Sequence, residues 1–276
     1  MTTALVFDID NTLTPPREAL DRDMAERLGA LGPPFALAAG SDLALLMSQF
    51  FEPLHAYGYR GEFDAFICNG ASRYRCRSGA DLSVTPVDEF SMAAHLGPAR
   101  YATLCSLLDG LWQNPHFALP DSVPIVGPRI IDRQAMFNIA PSGRQGGALS
   151  AEARRSREAF VAFDAATAYR ERALRVLRGL LDEHLPGNDL LLTLGGQTSF
   201  DLVVRGRDKS FSVRTLLDEG ASRVVYLGDA LFPGGNDAAV SDFVAAWPGG
   251  NCPVEVIQVD DHRHTARLME RWTRKG

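Results

Sequence analysis

Ala4-Leu5-Val6-Phe7-Asp8-Ile9-Asp10-Asn11-Thr12-Leu13-Thr14 is the stretch on which the reading of the chain turns. Its apolar opening, Ala4 to Phe7, ends abruptly in Asp8, the pattern of a buried parallel strand. Ligands of open α/β sheets bind beyond the carboxyl ends of such strands, so Asp8 and Asp10 fall where chemistry is done. Two residues apart on extended backbone, their side chains lean to one side. Carboxylates that close repel each other unless a cation joins them, and Mg²⁺ suits an all-oxygen site. One carboxylate can then serve as nucleophile and the other as general acid/base. The plainer alternative is a strand followed by an Asp-rich turn, for which Asp-Asn-Thr is ordinary material.

The rest of the chain extends the first pattern. A short helix is expected from Asp23 to Leu31, closed by Gly29 and Gly32. A second apolar run, Phe35 to Ala39, ends in Gly40-Ser41-Asp42. The helix after it carries Leu43, Leu46, Met47 and Phe50 on one face, and its N-terminus is expected to seat a phosphate. A third run, Phe63 to Cys68, ends in Asn69-Gly70, and two strand-like segments follow, Ser72–Cys76 and Leu82–Val87. From Phe90 the character changes. Leu104, Leu107, Leu108, Leu111 and Trp112 form a helical stripe, and a proline-rich loop leads to two strands, Ile130–Arg133 and Met136–Ala140. After the glycine-rich Gln145-Gly146-Gly147, one long helix is expected from about Ser150 to Leu185, then strands Leu190–Leu194 and Thr198–Val204. The parallel pattern resumes at Lys209, with strands Val224–Leu227 and Val254–Val259 and a last helix, Arg263–Trp272. The fold class expected is α/β: a Rossmann-like parallel-sheet core made of residues 1–89 and 207–276, with an α+β cap, residues 90–206, inserted between them.

With 276 residues, 46% apolar and 22% charged, the composition is that of a globular protein. Its net charge of −6 argues against a general nucleic-acid binder, and no apolar run is long enough to span a bilayer. The cysteines Cys68, Cys76, Cys105 and Cys252 are scattered, which favours reduced thiols and a cytoplasmic setting.

Asp-x-Asp-x-Thr, then Gly-Ser-Asp, Lys209, Gly228-Asp229 and Asn236-Asp237, in that order, resemble the haloacid dehalogenase superfamily of phosphoryl-transfer enzymes. The likeness is closer to the α-phosphomannomutase family. It rests on Asp8 through Arg17, Arg133-Gln-Ala-Met-Phe-Asn-Ile-Ala-Pro-Ser-Gly-Arg144, Gly195-Gly-Gln-Thr-Ser-Phe-Asp201, Asp208-Lys209, and Gly228-Asp229 followed by Pro233-Gly-Gly-Asn-Asp237. The resemblance implies that Asp8 is the nucleophile that becomes a phosphoaspartate. It makes Asp10 the general acid/base, which also lends a carbonyl to the metal. Asp229 becomes the distant metal carboxylate, so that Asp8, Asp10 and Asp229 hold Mg²⁺, and Lys209 neutralises nucleophile and phosphate. Arg133, Arg144, Arg157, Ser199 and Asp201 are implied to bind the sugar phosphate from the cap, and Arg17 from the core–cap boundary. Guanidinium forks suit a phosphate because they bind it bidentately. For Arg157 the alternative is a charged helix face shared with Arg154 and Arg155. For Asn236 and Asp237, read as supporting residues, it is a helix cap.

Several positions depart from the family. Asn11 stands where it has Gly, Ala230 where a Lys usually follows the metal Asp, and Arg205 and Arg207 make the turn more basic. The segment between Arg144 and Arg157 is longer. The hydroxyl after the second strand falls at Ser41, or its position at Ala39. These changes leave the catalytic carboxylates alone and bear on substrate choice. The function expected is a phosphohexomutase interconverting hexose 6-phosphate and hexose 1-phosphate, mannose before glucose, in mannose metabolism. Hexose 1,6-bisphosphate would be the activator and cap closure would exclude water. The partners expected are a small sugar phosphate and, through the cap, a second copy in a homodimer, with neither nucleic acid nor membrane. The alternatives are a Mg²⁺-dependent sugar-phosphate phosphatase and a catalytically silent sugar-phosphate sensor.

Overall fold

The run ahead of Asp8 forms β1 (Thr3–Phe7). It is followed by α1 (Arg22–Gly29), β2 (Phe35–Ala38), α2 (Leu43–Leu46), a π turn (Met47–Phe51), α3 (Glu52–Ala56), β3 (Gly61–Ile67), β4 (Ser72–Ser78) and β5 (Leu82–Asp88). Then come α4 (Met92–Leu96), α5 (Pro98–Gly110), β6 (Ile130–Asp132), β7 (Phe137–Ile139), α6 (Ala151–Thr167), α7 (Tyr169–His184), β8 (Leu190–Gly195) and β9 (Ser199–Val204). The chain closes with α8 (Ser210–Asp218), β10 (Arg223–Gly228), α9 (Ala238–Ala245), β11 (Val254–Gln258) and α10 (His262–Thr273). This computed structural model describes residues 2–32, 34–146 and 150–273, so Gly147 of the glycine-rich stretch lies outside the described residues. The described residues form two compact units, one running to Glu89 and resuming at Gly206, the other spanning Phe90–Arg205.

The first unit is built on a seven-stranded sheet in the order β11-β10-β1-β2-β3-β4-β5. Its first five strands are mutually parallel, and β4 and β5 extend it as an antiparallel hairpin. Val6, Phe7, Leu37, Ala38, Val224 and Leu227 are all buried, as continuous apolar runs covered on both faces must be. Register is what makes a site here. Phe7 lies opposite Leu227 on one side and Leu37 on the other, so Asp8, the Ala39–Ser41 turn and Asp229 leave the sheet at one edge. Because β1 continues to β2 on one flank while β10 returns on the other, that edge is a topological switch point.

α2 starts at a cap: Asp42 Oδ1 accepts from Leu45 N at 3.0 Å, which meets one of the free amides of the helix start. The π turn then adds a residue to the helix, so that the neighbours Phe50 and Phe51 are both buried.

The second unit has a four-stranded antiparallel sheet, β6-β7-β9-β8, packed against helices. Its core joins Leu104 and Leu108 of α5, Phe160 of α6, Leu177 and Leu181 of α7, and Phe137, Ile139, Phe200 and Leu202 of the sheet. The long helix expected from Ser150 to Leu185 is two helices, broken at Ala168, whose φ is 50°. Asp164 stabilises the break, accepting from the backbone N–H and from Nε of Arg170, both at 2.7 Å. The kink lets Tyr169 enter the core, where its hydroxyl donates to the Phe117 carbonyl at 3.1 Å. Among the described residues no helix is long and apolar enough to cross a membrane.

Candidate active site

At the carboxyl end of β1, Asp8 is 5% exposed and meets Lys209, which is fully buried. Lys209 Nζ donates to Asp8 Oδ1 and to Asp237 Oδ1, each at 2.6 Å. The ammonium is brought there by the turn before α8, where Asp208 accepts from the N–H groups of Gly206 and Ser210, each at 3.0 Å. Asp237 stands at the N-cap position of α9, yet its side chain caps nothing. Its Oδ1 also accepts from the Tyr226 hydroxyl at 2.5 Å, and its Oδ2 from Ala230 N at 2.9 Å. Between its two expected roles, the geometry therefore makes Asp237 the organiser of Lys209.

Asp229 leaves β10 beside this pair, and Asn11 Nδ2 donates to its Oδ2 at 3.0 Å. Ligand oxygens of Asp8, Asp229 and Asp237 all lie within 4.8 Å of one another. Burial holds the Asp8 carboxyl well above its ordinary pKa; Lys209 opposes the rise, and Asp237 and Asp229 add to it. Burial, then Asp237, likewise raises Asp229, with Asn11 opposing. Burial alone would lower Lys209, but Asp237 and Asp8 outweigh it, so the ammonium keeps its proton more tightly than usual. Three carboxylates facing one ammonium leave excess negative charge away from bulk water, and this donor set fits a hard divalent cation. Both oxygens of Asp237 already accept hydrogen bonds, which leaves Asp8 and Asp229 as the carboxylates suited to it.

Asp10 is not in that cluster. Its Oδ1 accepts from the backbone N–H of Arg17 at 2.8 Å, which ties the loop after β1 into a turn. Arg17 has a φ of 61°, and its carbonyl accepts from Gln49. Ser41 is buried, and its carbonyl accepts from Cys68 N at 2.9 Å. Asn236 Nδ2 donates to Asn69 Oδ1 at 3.2 Å, and Asn69 is itself buried with a φ of 56°.

In the second unit the hub is Asn138, in the middle of β7 and 1% exposed. Its Nδ2 donates to Ser199 Oγ at 2.9 Å and to Asp201 Oδ1 at 2.6 Å, while its Oδ1 accepts from Arg144 Nη1 at 2.9 Å. One amide thus holds together Arg144, Ser199 and Asp201. Arg157 Nη2 donates to Gln197 Oε1 at 2.8 Å, and Arg133 stands in the tight connection between β6 and β7. Asn138, Tyr226, Asn69 and Asn11 are among the polar residues of these networks that sequence reasoning did not place in a site, as are Asp208, Gln49 and Gln197. Asn138 and Tyr226 carried a signal, a hydrogen-bonding group inside an apolar strand.

Gly228 makes room for this arrangement, since a Cβ there would fall 2.5 Å from Asp237 Oδ2. Gly228→Ala should displace Asp237 from Lys209 and lower stability by about 1–3 kcal/mol, as overpacking of a tight site does. Urea denaturation checks this, and a melting curve superimposable on that of the parent protein would contradict it.

A parallel sheet with acids at its switch point and an α+β insert is the architecture of the haloacid dehalogenase superfamily. The fold is similar to that of IMP-nucleotidase from Plasmodium falciparum (TM-score 0.66, 13% identity, covering 99% of this chain and 68% of that one). It is also similar to the C-terminal domain of C. albicans trehalose-6-phosphate phosphatase (TM-score 0.60, 12% identity, 100% and 93% covered). Residues 34–244 match the model of the eukaryotic phosphomannomutase family, and the chain belongs to that family of enzymes. It is 30% identical over 239 residues to the phosphomannomutase of Schizosaccharomyces pombe, covering 85% of this chain and 83% of the relative. It is 26% identical over 244 residues to phosphomannomutase 2 of Dictyostelium discoideum, covering 87% of each.

Proposed function

We propose that this protein is a phosphohexomutase that interconverts hexose 6-phosphate and hexose 1-phosphate, mannose before glucose, in the cytoplasm. The observation that carries the reading is the buried Lys209–Asp8 pair at the end of β1, set among Asp229 and Asp237. Asp8 acts as the nucleophile. Its carboxylate forms a bond to phosphorus of hexose 1,6-bisphosphate as the phosphorus–oxygen ester bond breaks, and Asp10 gives its proton to the leaving sugar oxygen. The free hydroxyl of a bound hexose monophosphate then gives its proton to Asp10 and takes the phosphoryl group from Asp8. The bisphosphate so formed turns round and returns its other phosphoryl group to Asp8, releasing the isomeric monophosphate. Lys209 offsets the charge of Asp8 and of the phosphoryl oxygens, since phosphoryl transfer depends on neutralisation and positioning above all. Asp8, the Asp10 carbonyl and Asp229 are the residues that would hold Mg²⁺, which when bound withdraws charge from the phosphoryl oxygens.

A mutase substrate carries two phosphates, and in this reading the second unit is the specificity cap, with its own anion site. Arg144, fixed by Asn138, takes the distal phosphate with Arg133 and Arg157, while Ser199 and Asp201 take sugar hydroxyls. Arg17 binds from the core side and Ser41 lies beside the phosphoryl site. The cap also pairs two copies into a homodimer. Hydrolysis by water at Asp8 is the second reading, favoured by the fold-level likeness to two phosphatases. Incubating mannose 1-phosphate and glucose 1-phosphate with a trace of the matching 1,6-bisphosphate should yield the 6-phosphates. Free hexose and inorganic phosphate as sole products would move the protein to the phosphatase reading.

Mg²⁺ should also raise the melting temperature of chelator-treated protein, by an amount that shrinks as pH falls. Asp8 and Asp229 keep their protons above the ordinary carboxylate range. Protons therefore compete with the cation at pH values where an ordinary Asp is already ionised. Lower pH means more protonated carboxyl, weaker binding and a smaller rise. At Mg²⁺ one hundred times its Kd the stabilisation is ~2.7 kcal/mol. A melting temperature indifferent to Mg²⁺ at every pH would count against the cation site.

A further inference from the structure

We propose that Asn11 is a positioning residue that sets the divalent-cation affinity of this chain by holding the Asp229 carboxylate from across the switch point. The inference rests on the reading of Asp8 and Asp229 as cation ligands. Asn11 has a φ of 62°, a conformation that glycine adopts at no cost and that asparagine tolerates better than most residues. Its backbone is fixed: its N–H donates to the Thr14 carbonyl at 2.8 Å, and the Ile9 carbonyl accepts from Thr12, Leu13 and Thr14. From this rigid turn the amide crosses 218 residues of sequence separation to donate to Asp229 Oδ2 at 3.0 Å.

The three acids of the cluster are not held alike. Lys209 clamps Asp8 and Asp237 at 2.6 Å each. Among the described residues, Asn11 is the only side chain that donates to Asp229. The neighbouring Ala230 supplies no cation there. The side-chain donor that holds Asp229 is thus a neutral amide, which leaves the carboxylate's negative charge available to a ligand. Ligating carboxylates fixed by such outer hydrogen bonds lose affinity when the outer partner is removed, typically 10–100-fold.

Asn11→Gly tests this cleanly, because glycine accepts the same φ and only the donor is lost. Mn²⁺ titration of substrate-free protein by electron paramagnetic resonance, with Mg²⁺ as competitor, should show at least ~10-fold weaker binding of both ions. Circular dichroism should be unchanged, and saturating Mg²⁺ should restore turnover to the parent value, which general structural damage would not allow. Asp229→Asn serves as the second arm. If it abolishes Mn²⁺ binding while Asn11→Gly binds within about twofold of the parent, the role of Asn11 is refuted and the cation site stands. If Asp229→Asn binds Mn²⁺ as the parent does, the reading of the cation site itself fails.

Discussion

Asp8→Asn should fold normally and show no measurable turnover. The amide cannot form an acyl phosphate, so the step that carries the phosphoryl group is lost outright, not slowed. Folding survives for an electrostatic reason. Burial and two neighbouring acids all oppose a charge on Asp8, and Lys209 keeps Asp237 as a partner at 2.6 Å when position 8 is a neutral amide. Exposure of the parent protein to ³²P-labelled hexose bisphosphate should leave alkali-labile label on the chain, and the variant should take up none. Turnover by the variant at the parent rate would remove Asp8 from the role of nucleophile.

Lys209→Met should do the opposite, damaging stability as well as activity. The side chain is fully buried between two carboxylates, and methionine is close to it in length. Removing one partner of a buried ion pair costs about 3–5 kcal/mol, because charge is left without compensation. Here Asp8, Asp229 and Asp237 would face one another with no ammonium among them. Protonation would relieve them, so the loss should be largest at alkaline pH and shrink as pH falls. Guanidinium denaturation at two pH values measures both the size and the trend. A loss below about 1 kcal/mol, the size of a surface pair, would mean that Lys209 is not the cluster's neutralising charge.

How much of this can be read from sequence depends on what writes each feature. Apolar runs that end in polar residues mark β1, β2, β3 and β10, and with them the edge where Asp8 and Asp229 emerge. Motif order adds Lys209 and Asp237, which no periodicity would bring to Asp8. The break at Ala168 is invisible because neither glycine nor proline announces it, and helical spacing runs on through it: Phe160 and Leu177 share one core. The information lies in Asp164, whose carboxylate captures Arg170 only after the kink has formed. Asp42 belongs to the turn read as a phosphate seat, and its role as a cap is written only in the hydrogen bond from Leu45 N. Asn138 and Tyr226 show in the sequence as polar groups inside apolar strands, but their partners do not, lying 63 residues away for Asp201 and 11 for Asp237. Asn11 is visible as a departure from its family, but its contact with Asp229 is not.

The position of β1 in the middle of its sheet has a consequence for biosynthesis. One of its two neighbours, β2, follows within about forty residues of synthesis, but the other, β10, begins at Arg223. The second unit has all four of its strands once Val204 is made, well before that. Since domains fold as units while the ribosome is still elongating, the insert is complete while the strand that carries Asp8 still has one edge open. A chain that terminates prematurely anywhere between Arg205 and Arg223 would therefore contain the whole second unit, together with an Asp8 strand that has no Asp229 or Asp237 beside it. Quality control would meet a half-built sheet with its apolar edge exposed, which is a substrate for chaperones and proteases rather than a weak enzyme.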